Sequence, residues 1–361
     1  MSMIQYVCFT GYTGFAIAAK NNIKALLSRG HTTRVVSLDL GFNKTINPKD
    51  FGLYNSLVKN QLGSDFITLY HCVPFMQRRC KCIGKKIGYA TFETLEPPLE
   101  WKAFLNNYEI IITPSKFNYN IFQKQGYKNL LYLPHIIDFE RFNSDVIPLF
   151  QNPTNEFKFL WIGTWKKRKN YELLIKSYLE EFEHDENVCL TIKTNQSAIK
   201  NPEIILKRIK AEIKNKKHFP KISFDKTVLS DDIMPSYIKS FNCFVSPTLG
   251  EGFGLPGLQS MAVGVPVITT NFGGVTDYAN EATATLLEFE KLERIPCMDG
   301  ILQFKNKMWP TITTNVVKIA MRNVYEKHAE AIIKAKYAEA YVMERFGYNQ
   351  ISILEEAIKI L

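Results

Sequence analysis

The stretch "FVSPTLGEGFGLPGLQSMAVGVPVITT" (residues 244–270) reads as a buried strand at either end, with a glycine-crowded turn and a short apolar helix between them. Leu258, Met261, Ala262 and Val265 supply the helix's apolar face, Pro256 suits its first turn, and Gly264 suits its stop. The single acid, Glu251, stands among Gly250, Gly252 and Gly254. A glycine turn feeding a helix N-terminus offers unpaired N–H groups and about half a positive charge, which is a place for an anion such as phosphate. A carboxylate beside phosphate is repelled, so Glu251 is expected to accept hydrogen bonds from a ligand that carries hydroxyls as well. The local alternative is a tight turn in which Glu251 caps the following helix.

Strand–turn–helix–strand units extend in both directions from this stretch. "IQYVCFT" (4–10) is strand-like, "FAIAAKNNIKALLSRG" (15–30) has helical spacing, and "TRVVSLD" (33–39) is a second strand. That βαβ unit implies a parallel sheet. "FITLYH", "KIGYATF", "EIIITPS" and "NLLYLPH" extend the first half. The alternation restarts at "FKFLWIG" (157–163), followed by "NYELLIKSYLEEFE" as a helix and by "NVCLTIKT", "KISFDKTV", "FNCFVSP", "VPVITT" and "ATLLEF" as strands. Between the halves, "HIIDFERFNSDVIPLFQNPTNEF" (135–157) lacks periodicity and reads as the linker. The expected fold is α/β: two Rossmann-like, doubly wound domains, residues 1–145 and 146–345, facing across a cleft.

Bulk composition bounds the function. With 361 residues, 46% apolar and 22% charged, the chain is globular and long enough for two cores. No apolar run reaches the roughly 18 residues needed to span a bilayer. "MSMIQYVCFTGYTGF" lacks a signal peptide's basic start, and the seven cysteines are scattered, so a cytoplasmic, reducing location is expected. A net charge of +10 suits phosphorylated small molecules, anionic membranes or nucleic acid. No zinc-finger, RNP or helix-turn-helix signature accompanies it, so nucleic acid is not expected as a partner. The densest basic run, "QRRCKCIGKK" (77–86), is either a solvated loop or a peripheral membrane contact.

A second basic element follows the strand 157–163: "WIGTWKKRKN" places Lys166, Lys167, Arg168 and Lys169 before a helix. Arg grips phosphate oxygens in a fork and Lys adds a point charge. Together with the 250–254 turn it points to a diphosphate site.

With these residues in view, the sequence resembles the retaining glycosyltransferases of glycosyltransferase family 4, which have the GT-B fold. The resemblance spans nearly the whole chain: "GEGFGLPGLQSMAVGVPVI" for the donor-site signature, "GYTGF…ALLSRGH" for the N-terminal glycine loop, and "GYATFETLEPPLEW", "ITPSKFNYNIFQKQGY", "LPHIIDFERF" and "FLWIGTWKKRKNYELLIKSY" for further blocks. It implies that Glu251 lies against the donor sugar and that Gly252, Phe253, Gly254 and Leu255 contact sugar and phosphate. Arg168 and Lys169 would neutralise the diphosphate, Gly14 would let backbone approach it, and the main chain at Val228 would read the base. It also implies that the last helix, 346–361, returns to the first domain.

Three positions depart from the family pattern. Gln259 replaces the second signature acid, which binds the ribose; its amide oxygen still accepts a hydroxyl, without charge assistance. Thr164 replaces an arginine, leaving its work to Arg168. Glu93 stands where many members have histidine and is read, with His71, as facing acceptor or donor sugar; a lone histidine after a strand is otherwise structural. The implied reaction moves a hexose-type sugar from a nucleoside-diphosphate sugar to a glycan, lipid-linked or protein-linked hydroxyl, with Glu251, Glu93, Arg168 and Lys169 as catalytic candidates. No cofactor or metal is expected, since no Asp-x-Asp pair occurs. A non-catalytic relative that binds a nucleotide sugar or a partner protein is the alternative. A dinucleotide oxidoreductase fails on spacing, because "GYTGFAI" is not G-x-G-x-x-G.

Overall fold

A computed structural model describes residues 1–39, 50–80, 82, 84–194, 202–301 and 304–361. Lys81 and Ile83 of the basic run 77–86 therefore lie outside the described residues. The chain divides into two compact units, Met1–Asp138 with Arg345–Leu361, and Phe139–Glu344. The division falls at 138/139, ahead of the 145/146 boundary read from the linker.

In the first unit the described strands form a parallel sheet ordered β2-β1-β3-β4-β5-β6. These are β1 (Met3–Cys8), β2 (Thr32–Ser37), β3 (Ile67–His71), β4 (Lys86–Tyr89), β5 (Ile110–Thr113) and β6 (Leu130–Tyr132). Helix α1 (Gly14–Ser28) starts where Thr13 Oγ1 accepts the Ala16 amide at 3.2 Å, and it stops before Gly30, whose φ of +83° favours glycine. Ala19, Ile23 and Leu26 face the core at helical spacing. Helix α2 (Phe51–Lys59), the single turn α3 (Lys102–Leu105) and α4 (Lys116–Lys124) complete the outer layer, with Ser115 Oγ capping the last at the Asn118 amide. Residues 352–360 close the same core, described below as α11.

The second unit repeats the plan with order β12-β11-β10-β7-β8-β9. Its strands are β7 (Phe157–Ile162), β8 (Val188–Lys193), β9 (Lys221–Asp225), β10 (Cys243–Ser246), β11 (Val267–Thr270) and β12 (Thr285–Leu287), all parallel. The flanking helices are α5 (Tyr171–Glu181), α6 (Pro202–Glu212), α7 (Met234–Lys239) and α8 (Leu255–Ala262). Apolar runs such as "FKFLWI" and "CFVS" are buried on both faces, as parallel strands between helices require. An antiparallel hairpin, β13 (Lys291–Cys297) and β14 (Lys305–Thr311), follows, then α9 (Thr314–Glu326) and α10 (His328–Arg345). Helix α11 (Ser352–Ile360) buries Leu354, Ala357 and Ile358 beside Ile4, Ile23 and Leu26 of the first unit. Full burial stabilises by roughly 1.5–3 kcal/mol for each such Leu or Ile side chain.

The expected β-strands and the two doubly wound sheets are present. Helices α2, α3, α4, α6 and α7 and the hairpin add to them. No helix among the described residues is long and apolar enough to cross a membrane.

Candidate active site

In the second sheet β7 lies between β10 and β8, so the strand order reverses between β7 and β10. Ligands of open α/β sheets bind beyond the carboxyl ends of the strands at such a reversal. The loop after β7 carries Thr164–Asn170 and the loop after β10 carries Pro247–Gly254, so the two segments picked out in the sequence leave neighbouring strands at that point.

They are tied together. The Arg168 carbonyl accepts the Leu249 amide at 2.8 Å and the Thr248 hydroxyl at 3.2 Å. Arg168 Nη1 donates to the Gly250 carbonyl at 3.0 Å, and Thr270 Oγ1 donates to the Thr248 carbonyl at 2.7 Å. Lys169 Nζ donates to Glu251 Oε1, and Arg168 Nη1 lies 3.6 Å from Glu251 Oε2. Burial alone pushes the Glu251 carboxyl up; Lys169 and Arg168 outweigh it and hold the group below its ordinary range. The turn is stiffened behind by Trp165, stacked 3.7 Å from Tyr171 at the head of α5.

The acid therefore does not cap α8. The N-cap is Gly254, at φ +88°, and it has no side-chain cap bond. Its neighbours explain why only glycine fits: a Cβ there would lie 2.7 Å from the Tyr278 hydroxyl, which instead donates to the Gly254 carbonyl at 2.6 Å. A second glycine pair, Gly273–Gly274, lies under the acid. The Gly274 amide donates to the Glu251 carbonyl at 2.8 Å, and a Cβ on Gly274 would come 2.0 Å from the Gly252 carbonyl oxygen. Neither Tyr278 nor the 273–274 pair stood out in the sequence; "NFGG" after a strand was the available signal.

Phe253 and Leu255 are buried, as is Gln259 one turn along α8. Thr164 is exposed and holds the turn through its carbonyl, which accepts the Lys166 amide at 2.7 Å. Val228 is 60% exposed in the loop after β9, a different loop from those of Arg168 and Glu251. That loop is anchored by Lys193 Nζ, which donates to the Thr227 carbonyl at 2.7 Å and to Asp225 at 3.1 Å.

The remaining candidates belong to the first unit. Gly14 is exposed as the first residue of α1. The preceding loop is braced by Asp39, whose carboxylate accepts the Thr10 and Gly11 amides at 2.6 and 3.0 Å. Asp39 is thus engaged with the backbone of that loop. Glu93 is half-buried in the loop after β4. His71 has no exposed surface: its Nδ1 lies 2.8 Å from the Tyr6 hydroxyl and its ring stacks 4.0 Å from Tyr89, so it is a core histidine and not one presented to a sugar.

Two parallel six-stranded sheets of this order, each flanked by helices, make up the GT-B fold. Residues 156–293 match the family model described as glycosyl transferases group 1. No curated protein sequence matches the chain. Among solved structures, sucrose-phosphate synthase from Thermosynechococcus elongatus superposes with a TM-score of 0.70 at 16% identity, covering 99% of this chain and 98% of that one. HepE from Anabaena, in complex with UDP and glucose, gives 0.69 at 13% identity over the whole of both chains. A glycosyltransferase from Rickettsia africae gives 0.68 at 14%, covering 99% and 97%. At such identities the likeness is one of fold.

Proposed function

We propose that this protein is a group 1 glycosyltransferase that moves a hexose-type sugar, with retention at the anomeric carbon, from a uridine-diphosphate sugar to a hydroxyl of a glycan, lipid-linked or protein-linked acceptor. The observation that carries the reading is the Arg168–Lys169–Glu251 constellation at the head of α8. It supports the reading because two cations and the amides of Gly254 and Leu255 at a helix N-terminus suit the charge that a diphosphate leaving group gathers. HepE, solved with UDP and with UDP-glucose, supports uracil as the base and glucose-like sugars as the class carried.

As the sugar–oxygen bond breaks, the anomeric carbon becomes oxocarbenium-like and the departing phosphate takes up negative charge. Arg168, Lys169 and the amides at Gly254 and Leu255 stabilise that charge without reorganising at the moment of reaction. Glu251 accepts hydroxyls of the donor sugar, and Gln259 a ribose hydroxyl. Val228 and Gly14 approach base and phosphate through their main chains. Glu93 serves the sugar or the acceptor. The acceptor's proton passes to a donor phosphate oxygen on the same face, so no protein nucleophile takes part. With two side-chain cations on the diphosphate, the reaction proceeds without a divalent metal, in a cytoplasmic setting. Arg78, Arg79, Lys85 and Lys86 bring the enzyme to an anionic membrane surface.

The test is incubation with radiolabelled UDP-, GDP- and ADP-hexoses, with and without EDTA, followed by chromatography for hydrolysis or transfer. UDP-hexose turnover that survives EDTA and disappears in Lys169→Ala supports the proposal. Binding without turnover across the panel favours a non-catalytic sugar-nucleotide binder. Unchanged liposome pelleting after alanine substitution of the four basic residues removes the membrane role.

A further inference from the structure

The hairpin β13–β14 has no part in either sheet, and the family match ends at residue 293, inside β13. Strand β13 is mostly exposed and β14 is largely buried or half-buried, and the hairpin's base holds a small core of its own: Met298, Phe304 and Trp309 are buried, with Phe304 edge-on to Trp309 at 5.3 Å. Among the described residues, Leu249, two positions before Glu251, packs on that core from outside the hairpin. Leu249 is also the residue whose amide is held by the Arg168 carbonyl.

A second contact reaches the other loop. Met298–Gly300 makes a tight turn in which Asp299 sits at φ +57°. Asp299 Oδ1 accepts the backbone amide of Lys167, the first residue of the 3-10 turn Lys167–Lys169. That amide has no partner within its own turn, and a carboxylate from another element caps it as an N-cap side chain would. Asp299 is thus fixed to the turn that carries Arg168 and Lys169.

We propose that the hairpin 291–311 is a positioning element of the donor site. Asp299 sets the angle of the Lys167–Lys169 turn, and the Trp309 core sets Leu249 and with it Glu251. This rests on the reading of Arg168 and Lys169 as diphosphate ligands. Asp299 touches no substrate; it acts through the backbone that aims the two cations. Its effect falls on affinity for the diphosphate and leaves the choice of base alone.

The experiment is calorimetric titration of the full chain with UDP, GDP and inorganic pyrophosphate, for wild type, Asp299→Ala, Asp299→Asn and Lys169→Ala. Asp299→Ala is expected to bind UDP and pyrophosphate about tenfold more weakly, by a common factor, since a charge-assisted bond to backbone is lost. Its UDP-to-GDP ratio stays at the wild-type value. Asp299→Asn keeps an oxygen acceptor for the Lys167 amide and returns affinity to within about twofold of wild type. Wild-type affinity in Asp299→Ala, with Lys169→Ala still impaired, overturns the role of the hairpin alone. A lowered melting temperature with an altered base preference also overturns it, in favour of general loosening. If Lys169→Ala binds UDP as wild type does, the diphosphate reading falls and this proposal with it.

Discussion

Replacing Lys169 by alanine removes the closer of the two cations that hold Glu251. The two side chains are 14% and 12% exposed, so water screens the pair little. Removing one partner of a buried pair typically costs about 3–5 kcal/mol. Arg168 remains 3.6 Å from Glu251, which lowers the expected loss to roughly 2 kcal/mol. Glu251→Gln removes the charge from the other side, and in the double variant the pair is absent altogether. A cycle of the four proteins should therefore give a coupling of about 2 kcal/mol rather than additive losses. The sign with pH follows from the lowered Glu251 pKa. The pair stabilises above the unfolded carboxyl value of about 4.3, and that contribution disappears as pH falls through the lower folded value. The gap between wild type and Lys169→Ala is thus widest near pH 7 and closes below about pH 4. Urea unfolding followed by tryptophan fluorescence is the assay, because Trp161, Trp165 and Trp309 all report on the second unit. Additive single-site losses, coupled by less than about 0.5 kcal/mol, refute the reasoning; so does a gap that persists unchanged in acid.

Other outcomes follow from the same geometry. Gly274→Ala forces a methyl to 2.0 Å from the Gly252 carbonyl, so it should cost about 3 kcal/mol in urea titrations and displace the 250–254 loop; a fully stable variant would mean the loop gives way freely. Gln259→Glu should tighten UDP binding about fivefold through a charge-assisted bond to ribose, and unchanged affinity in calorimetry counts against that role. Burial holds His135 down at about 3, while the unfolded chain protonates near 6.5. As pH falls below 6.5 the unfolded state binds a proton that the native state refuses, so stability drops by about 2 kcal/mol from this group at pH 5. His71, also pushed down by burial and by His135, deepens the loss, and a first unit equally stable at pH 7 and 5 would contradict both.

The parallel strands were legible because they are continuous apolar runs, and α1 and α8 because glycine, proline and threonine mark their ends. The hairpin was not: "KLERIPC" and "KNKMWPT" mix charge and proline, and most of β13 faces solvent, so neither periodicity exists to be read. Helix α7, six residues with a proline at its start, is too short to show a stripe. At the site, Arg168, Lys169 and Glu251 announced themselves by charge among glycines. The direct pairing of Lys169 with Glu251 could not be read, because it joins residues 82 apart in sequence and depends on β7 and β10 becoming neighbours. His71 illustrates the opposite error: a histidine after a strand looks the same in sequence whether it points to a ligand or, as here, into a stack with Tyr89 and His135.

Because Ile351, Leu354, Ala357 and Ile358 complete the layer that contains Ile4 and Ile23, the order of synthesis and the order of folding cannot agree. The first unit emerges from the ribosome early but lacks part of its interior until residues 351–358 have followed, and these contacts span almost the entire chain. Phe139–Glu344 carries no such debt and is free to fold first, leaving an unfinished apolar surface on its predecessor for the duration of translation.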